Sequence, residues 1–301
     1  VDENETPLTD WAVYDDNNKP LQDANFKGYA EARAVDKAGN VSDSKLNDGY
    51  VIDEQAPTDI VITSEAGEET YESDTWTSKD VTIKLSSTAY SGIYRYYYSV
   101  NGSDWTEIDG DTITVKNQGE WNYKFKAVSY ADNETVTQND FKVKIDKTEP
   151  VVRVDFEGTF GRWSADGVQF SMSILNQAIS GVRYYYSTDG GKSWIQAEEG
   201  SIITIDEDVD ASYIFKAING AGVESNVSDS YRIMIDTKKP TLEYTLETEE
   251  KTDKPYNVLF NVNTGRSGLK SVSVNGKVIT GEKSFEVSDN GRYVIVMTAN
   301  N

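Results

Sequence analysis

The chain has 301 residues, with 51 acidic side chains against 29 basic ones, a net charge of −22, and neither cysteine nor histidine. That balance argues against nucleic acid or an anionic membrane as the main partner, because phosphate binding needs clustered lysine and arginine. The two absent residue types remove disulfides, thiolate metal sites, a cysteine nucleophile, the usual Ser-His-Asp triad and the commonest zinc ligand.

Threonine, valine, isoleucine, serine, aspartate, asparagine and glycine dominate, with 19 tyrosines and 6 tryptophans. This is strand-and-turn chemistry. No apolar run approaches the ~20 residues of a membrane helix, so no membrane insertion is expected. The opening Val1-Asp2-Glu3 carries no basic n-region or apolar h-region, and the chain reads as a fragment of a longer one.

Three stretches share the spelling I-D-x-x-x-P: Ile52 to Pro57, Ile145 to Pro150 and Ile235 to Pro240, spaced by 93 and 90 residues. Trp11 precedes Asp53 by 42 residues, as Trp194 precedes Asp236, so residues 1–53 read as the C-terminal part of a repeat. Residues 54–147 and 148–238 are two complete copies. In order they share Ser91-Gly92-Ile93 with Ser180-Gly181-Val182, Tyr96-Tyr97-Tyr98-Ser99 with Tyr184-Tyr185-Tyr186-Ser187, and Tyr123-Lys124-Phe125-Lys126-Ala127 with Tyr213-Ile214-Phe215-Lys216-Ala217. Residues 239–301 read as a further copy, in which Ser267-Gly268-Leu269 repeats Ser91-Gly92-Ile93 and which ends before its last strand, so the pattern is expected to continue in both directions. Ordered recurrence at a fixed period marks a tandem array.

Within each copy Val81-Thr82-Ile83-Lys84-Leu85, Val168-Gln169-Phe170-Ser171-Met172 and Val258/Phe260/Val262 alternate apolar and polar, the period of half-buried strands. Asn101-Gly102 and Asp189-Gly190 predict hairpin turns, because both residues tolerate positive φ. No stretch keeps helical apolar spacing beyond about three turns. About seven short strands in ~90 residues predict an Ig-like or fibronectin-III-like sandwich burying Ile83, Leu85 and Phe125. The fold class is thus all-β: tandem Ig-like β-sandwich repeats of about 90 residues, arranged as an elongated rod.

Val35-Asp36-Lys37-Ala38-Gly39-Asn40-Val41-Ser42, the I-D-x-x-x-P junction and the Tyr-Ser-x-Asp-Gly-x-x-Trp hairpin resemble the bacterial Ig-like repeats of adhesin-type cell-surface proteins. The resemblance covers essentially the whole chain. It implies an extracellular setting and a stalk, spacer or binding role in a large surface or secreted protein. The same repeats accompany polysaccharide-degrading enzymes, which makes an accessory region of such an enzyme a further alternative. It also implies a covalent option, a Lys–Asn isopeptide bond at Lys84 or Lys126. Both lysines alternate with apolar residues, so both are expected to face water. Because Gly39-Asn40 becomes Asp132-Asn133 and then Gly222-Val223, that loop is read as a turn.

Candidate sites are few. Tyr97 and Tyr185 point away from the face shared by their neighbours, and with Trp105 and Trp194 they are candidates for stacking a glycan or a host surface protein; cross-strand packing is the simpler reading. Asp206, Asp208 and Asp210 open like a calcium loop, but Ala211 and Ala217 stand where glycine and a bidentate glutamate belong. On one strand face these carboxylates would repel each other, a repulsion that a calcium ion would relieve; no other cofactor is expected. Asp53, Asp146 and Asp236 are either further ion ligands or caps of the linker turns. Gly191-Lys192-Ser193 lacks the earlier phosphate-loop glycine, which is Tyr186, and the Ser-x-x-Lys matches at Ser42 and Ser267 lack companion motifs. No catalytic constellation emerges. The partners expected are the neighbouring repeats of the same chain.

Overall fold

The computed structural model describes residues 10–14, 25–248, 253–279 and 281–301. The described residues contain strands and turns and no helix. The chain divides into two compact units, Val1–Lys147 and Thr148–Asn301.

The first unit opens with four short strands, β1 (Phe26–Gly28), β2 (Glu31–Ala32), β3 (Lys45–Leu46) and β4 (Tyr50–Ile52), paired β1 with β4 and β2 with β3. A full sandwich follows: β5 (Val61–Ala66), β6 (Glu69–Thr70), β7 (Trp76–Thr77), β8 (Val81–Ser86), β9 (Ile93–Val100), β10 (Thr106–Ile108), β11 (Thr112–Val115), β12 (Gly119–Ser129), β13 (Glu134–Val136) and β14 (Phe141–Ile145). One sheet runs β11-β8-β5-β6 and the other β10-β9-β12-β14-β7, with β13 on β12. Val81, Ile83 and Leu85 of β8 face Phe125 and Ala127 of β12 across a core closed by Val143 and Ile145. The alternation read from the sequence produces this: Thr82 and Lys84 take the outer face while their neighbours are buried.

The second unit repeats the plan. Its strands are β15 (Val152–Glu157), β16 (Trp163–Ser164), β17 (Val168–Ile174), β18 (Val182–Ser187), β19 (Ile195–Ala197), β20 (Ile203–Ile205), β21 (Val209–Asn219) and β22 (Tyr231–Ile235). Sheet β15-β17-β20 packs on sheet β16-β22-β21-β18-β19, with Val168, Phe170, Phe215 and Ile233 buried between them. Six more strands follow: β23 (Thr241–Leu246), β24 (Tyr256–Asn263), β25 (Leu269–Val274), β26 (Lys277–Val278), β27 (Ser284–Val287) and β28 (Ile295–Ala299), in sheets β23-β24-β27 and β26-β25-β28.

In each sandwich the first, second and fifth long strands form one sheet and the others form the second, the order of a fibronectin-III-like sandwich. The fold is therefore all-β, in tandem sandwiches. The strands outnumber the expected seven because short segments such as β7 and β16 add parallel pairs beside the last strand of each sandwich. The hairpin turns also differ in detail. Asn101 and Gly102 take positive φ as expected, but in the next copy Gly190 and Gly191 do so and Asp189 does not. Its carboxylate instead accepts the N–H groups of Lys192 and Ser193 and the Ser193 hydroxyl, capping a longer loop.

Candidate functional site

The Tyr and Trp candidates come together in one recurring arrangement. Tyr96 and Tyr184 are buried, while Tyr97 and Tyr185 lie half-buried on the outer face. Tyr97 pairs across the sheet with Lys126, and Tyr185 with Lys216. Lys126 Nζ lies 4.9 Å from the Tyr97 ring centre and 5.3 Å from that of Trp105. Lys216 Nζ lies 4.7 Å from the Trp194 ring. Each ammonium also meets a carboxylate, Glu134 at 2.9 Å and Glu224 at 3.0 Å. A cation also lies over the tryptophan of the first copy, where the Arg33 guanidinium sits 4.0 Å from the Trp11 ring.

Trp105 and Trp194 thus each have a cation from the long central strand on one face, an attraction worth ~0.5–1 kcal/mol where partly exposed. The expectation that Lys126 faces water is corrected: its side chain is only 14% exposed, because its stem lies along the rings. Lys84 does face water, with Asp111 at 3.8 Å. Both amines sit beside carboxylates. The cations escaped sequence reading, although each follows its tryptophan by 21 or 22 residues.

The three calcium candidates are not brought together. Asp206 lies exposed just past β20, Asp208 lies in the turn and Asp210 is on β21, so they share no strand face. Asp208 accepts the Thr237 N–H and hydroxyl, both at 2.8 Å, and meets Lys238 at 3.3 Å. Asp210 takes the Arg232 guanidinium through two bonds of 2.8 Å. Donation from the Thr237 N–H holds Asp208 below the usual carboxylate range, and Arg232 does the same for Asp210. Among the described residues no group of three acidic side chains is arranged to hold a metal ion.

The junction aspartates are placed differently. Asp53 is 7% exposed, and its Oδ2 accepts the Ser91 hydroxyl at 2.7 Å and the Ser91 N–H at 2.9 Å. Its Oδ1 accepts the Gln55 N–H, and its backbone carbonyl accepts Asn133 Nδ2 at 2.7 Å. In the second unit Asp236 accepts the Ser267 N–H at 2.7 Å and the Lys238 N–H, and its carbonyl takes Asn301 Nδ2 at 2.8 Å. The Ser91 hydroxyl holds Asp53 below the usual range. Burial pushes Asp236 up, and the Ser267 N–H outweighs it with help from neighbouring donors. Asp53 and Asp236 of I-D-x-x-x-P therefore each clamp the Ser-Gly turn that follows in their own unit. The recurrence of Ser-Gly was the signal of that partner, but pairing residues 38 apart needs the fold.

The drifting loop is a turn with one retained function. Asp36, Ser129 and Asn219 each accept the N–H groups two and four residues on: Ala38 and Asn40, Ala131 and Asn133, Ala221 and Val223. Gly39, Asp132 and Gly222 all take positive φ, of 89°, 59° and 84°. Any short oxygen-bearing side chain serves at the first position.

No family model matches the chain, and no curated protein matches it. Among solved structures it is similar to the fibronectin(III)-like modules of Clostridium thermocellum CbhA, with a TM-score of 0.32, 13% identity, and 57% of this chain and 93% of that one covered. It is also similar to the chicken CNTN1 FN1-FN3 domains, with a TM-score of 0.24, 13% identity and coverage of 81% and 88%. Dimeric latent PorU from Porphyromonas gingivalis gives 0.23 and 12%, covering 84% of this chain and 32% of that one. The assignment of sandwiches rests on the strand order itself.

Proposed function

We propose that the chain is a non-catalytic spacer segment of a large bacterial cell-surface or secreted protein, setting the distance and orientation of a functional domain elsewhere in that protein. The observation that carries this reading is the junction clamp. A free hinge would leave the linker residues to solvent. Here Asp53 is buried against the Ser91 turn while Asn133 and Thr135 hold the carbonyls of Asp53 and Pro57. Pro57 fixes its own φ within the same linker. Such a junction passes orientation and force from one sandwich to the next, and a surplus of negative charge keeps neighbouring segments apart. We place no ligand on the tryptophan hairpins, where one face of Trp105 is taken by Lys126 and one face of Trp194 by Lys216.

The natural absence of cysteine makes paired spin labels at Lys45→Cys and Lys116→Cys a direct test across the first junction. A narrow distance distribution that broadens in Asp53→Ala is the expected result. An equally broad distribution with Asp53 intact would overturn the spacer reading.

A further inference from the structure

The two complete sandwiches are close copies, so a feature present in only one of them is not required by the fold. One such difference is a pair of exposed tyrosines. In the second unit β18 and β21 pair without interruption, Arg183 with Ile218 and Val182 with Asn219. In the first unit Val128 pairs with Arg95 and Ser129 with Ile93, so Tyr94 is an extra residue in a β-bulge. Opposite it stands Tyr130, where the sister sandwich has Gly220. The rings of Tyr94 and Tyr130 lie 5.1 Å apart, tilted by 43°, and remain 48% and 67% exposed.

The local structure is built around this pair. A Cβ at Gly220 would meet the Ser180 carbonyl oxygen at 2.2 Å, so the sister sandwich excludes any side chain there. In the first sandwich Tyr130 is accommodated, its N–H donating to the Gly92 carbonyl and its ring lying over Gly92. The Arg95 guanidinium backs Tyr94 at 3.8 Å and is itself held by Glu107 at 2.6 Å. Bulges re-aim side chains, and this one turns an aromatic ring toward solvent beside another.

We infer that Tyr94 and Tyr130 form a binding platform for a neutral oligosaccharide. Two half-exposed phenol rings offer on the order of 200 Å², given the ~150–250 Å² of a whole aromatic side chain. That is far below the ~800 Å² per partner of a stable protein interface, and it matches one or two pyranose rings. Phenol faces suit the C–H faces of a sugar, and the two ring hydroxyls supply polar contacts at the rim. The chain's charge of −22 disfavours an anionic ligand, and Glu107 already neutralises the nearest arginine. This goes beyond the spacer reading and does not depend on it.

The test is an amide NMR titration of the full chain with neutral cello-, xylo-, malto- and chito-oligosaccharides up to ~10 mM, the range where weak binding is read. One series is expected to shift amides around residues 91–95 and 129–132. Tyr130→Gly, which installs the sister residue, is expected to weaken that binding at least about tenfold with an unchanged melting profile. Trp105→Ala should leave the affinity as it was. Three outcomes overturn the inference: no shift with any sugar, binding equal in Tyr130→Gly, or shifts centred on Trp105 and Trp194. A protein ligand that needs Tyr94 and Tyr130 when no sugar binds would overturn it as well.

Discussion

At Asp53 a nearly buried carboxylate is satisfied by hydrogen-bond donors of the next repeat, the Ser91 hydroxyl foremost, so its loss leaves those donors stranded. Stranding a buried N–H costs ~1–3 kcal/mol, and Asp53→Ala is expected to lower the urea midpoint of the first unit accordingly. The pH dependence follows from the lowered carboxyl. Its stabilisation is complete above the unfolded value of about 3.9 and is lost as pH falls through the lower folded value. The stability difference between the unchanged chain and Asp53→Asn should therefore be constant near neutral pH and shrink below ~pH 4. A difference that grew on acidification would show that the carboxylate is not the stabilising form.

At the scale of strands and hairpins, the cations on Trp105 and Trp194 tie each hairpin to the long central strand. Lys216 is as enclosed as Lys126, with 14% of its side chain exposed between Trp194 and Glu224. A double-mutant cycle between Lys216→Met and Trp194→Ala is expected to give a coupling of ~0.5–1 kcal/mol. Zero coupling would reduce the arrangement to coincident packing. A second prediction concerns Gly220, whose neighbour is the backbone oxygen of Ser180 and not a side chain that can swing away. Gly220→Ala is expected to destabilise the second unit by ~1–3 kcal/mol in chemical denaturation, as overpacking does. Tyr130→Gly, at the matching position, should cost far less, because its exposed ring gives up little packing.

For the whole molecule, two buried clusters among the described residues are separate, one drawn from residues 66–145 and one from 168–235. Two cores with their own sheets predict unfolding that is not two-state for the chain. Each ~90-residue sandwich should contribute about 60 kcal/mol of enthalpy near 60 °C at ~0.7 kcal/mol per residue. The calorimetric enthalpy of a thermal scan should then exceed the van't Hoff value well beyond error. Equal values would mean that the cores melt as one. Added salt should raise the transitions by screening the self-repulsion of a chain at −22.

The tandem architecture is determined locally, and the sequence alone determined it. Period-2 alternation in Val81 to Leu85 places side chains on opposite faces wherever the strand lies, and positive-φ residues such as Gly39 and Gly222 mark turns without help from distant contacts. What a polar or aromatic side chain does is decided by its partner across the fold. Asp210 reads as a metal ligand until Arg232, 22 residues on, is folded against it. Lys126 reads as a solvent-facing residue until the hairpin carries Trp105 over it. Tyr94 is indistinguishable in sequence from the tyrosines beside it; only the slip in pairing between β9 and β12 turns it outward toward Tyr130. Periodicity fixes the face of a residue within its own element, whereas ion pairs, ring contacts and bulges depend on register between elements, which tertiary packing sets.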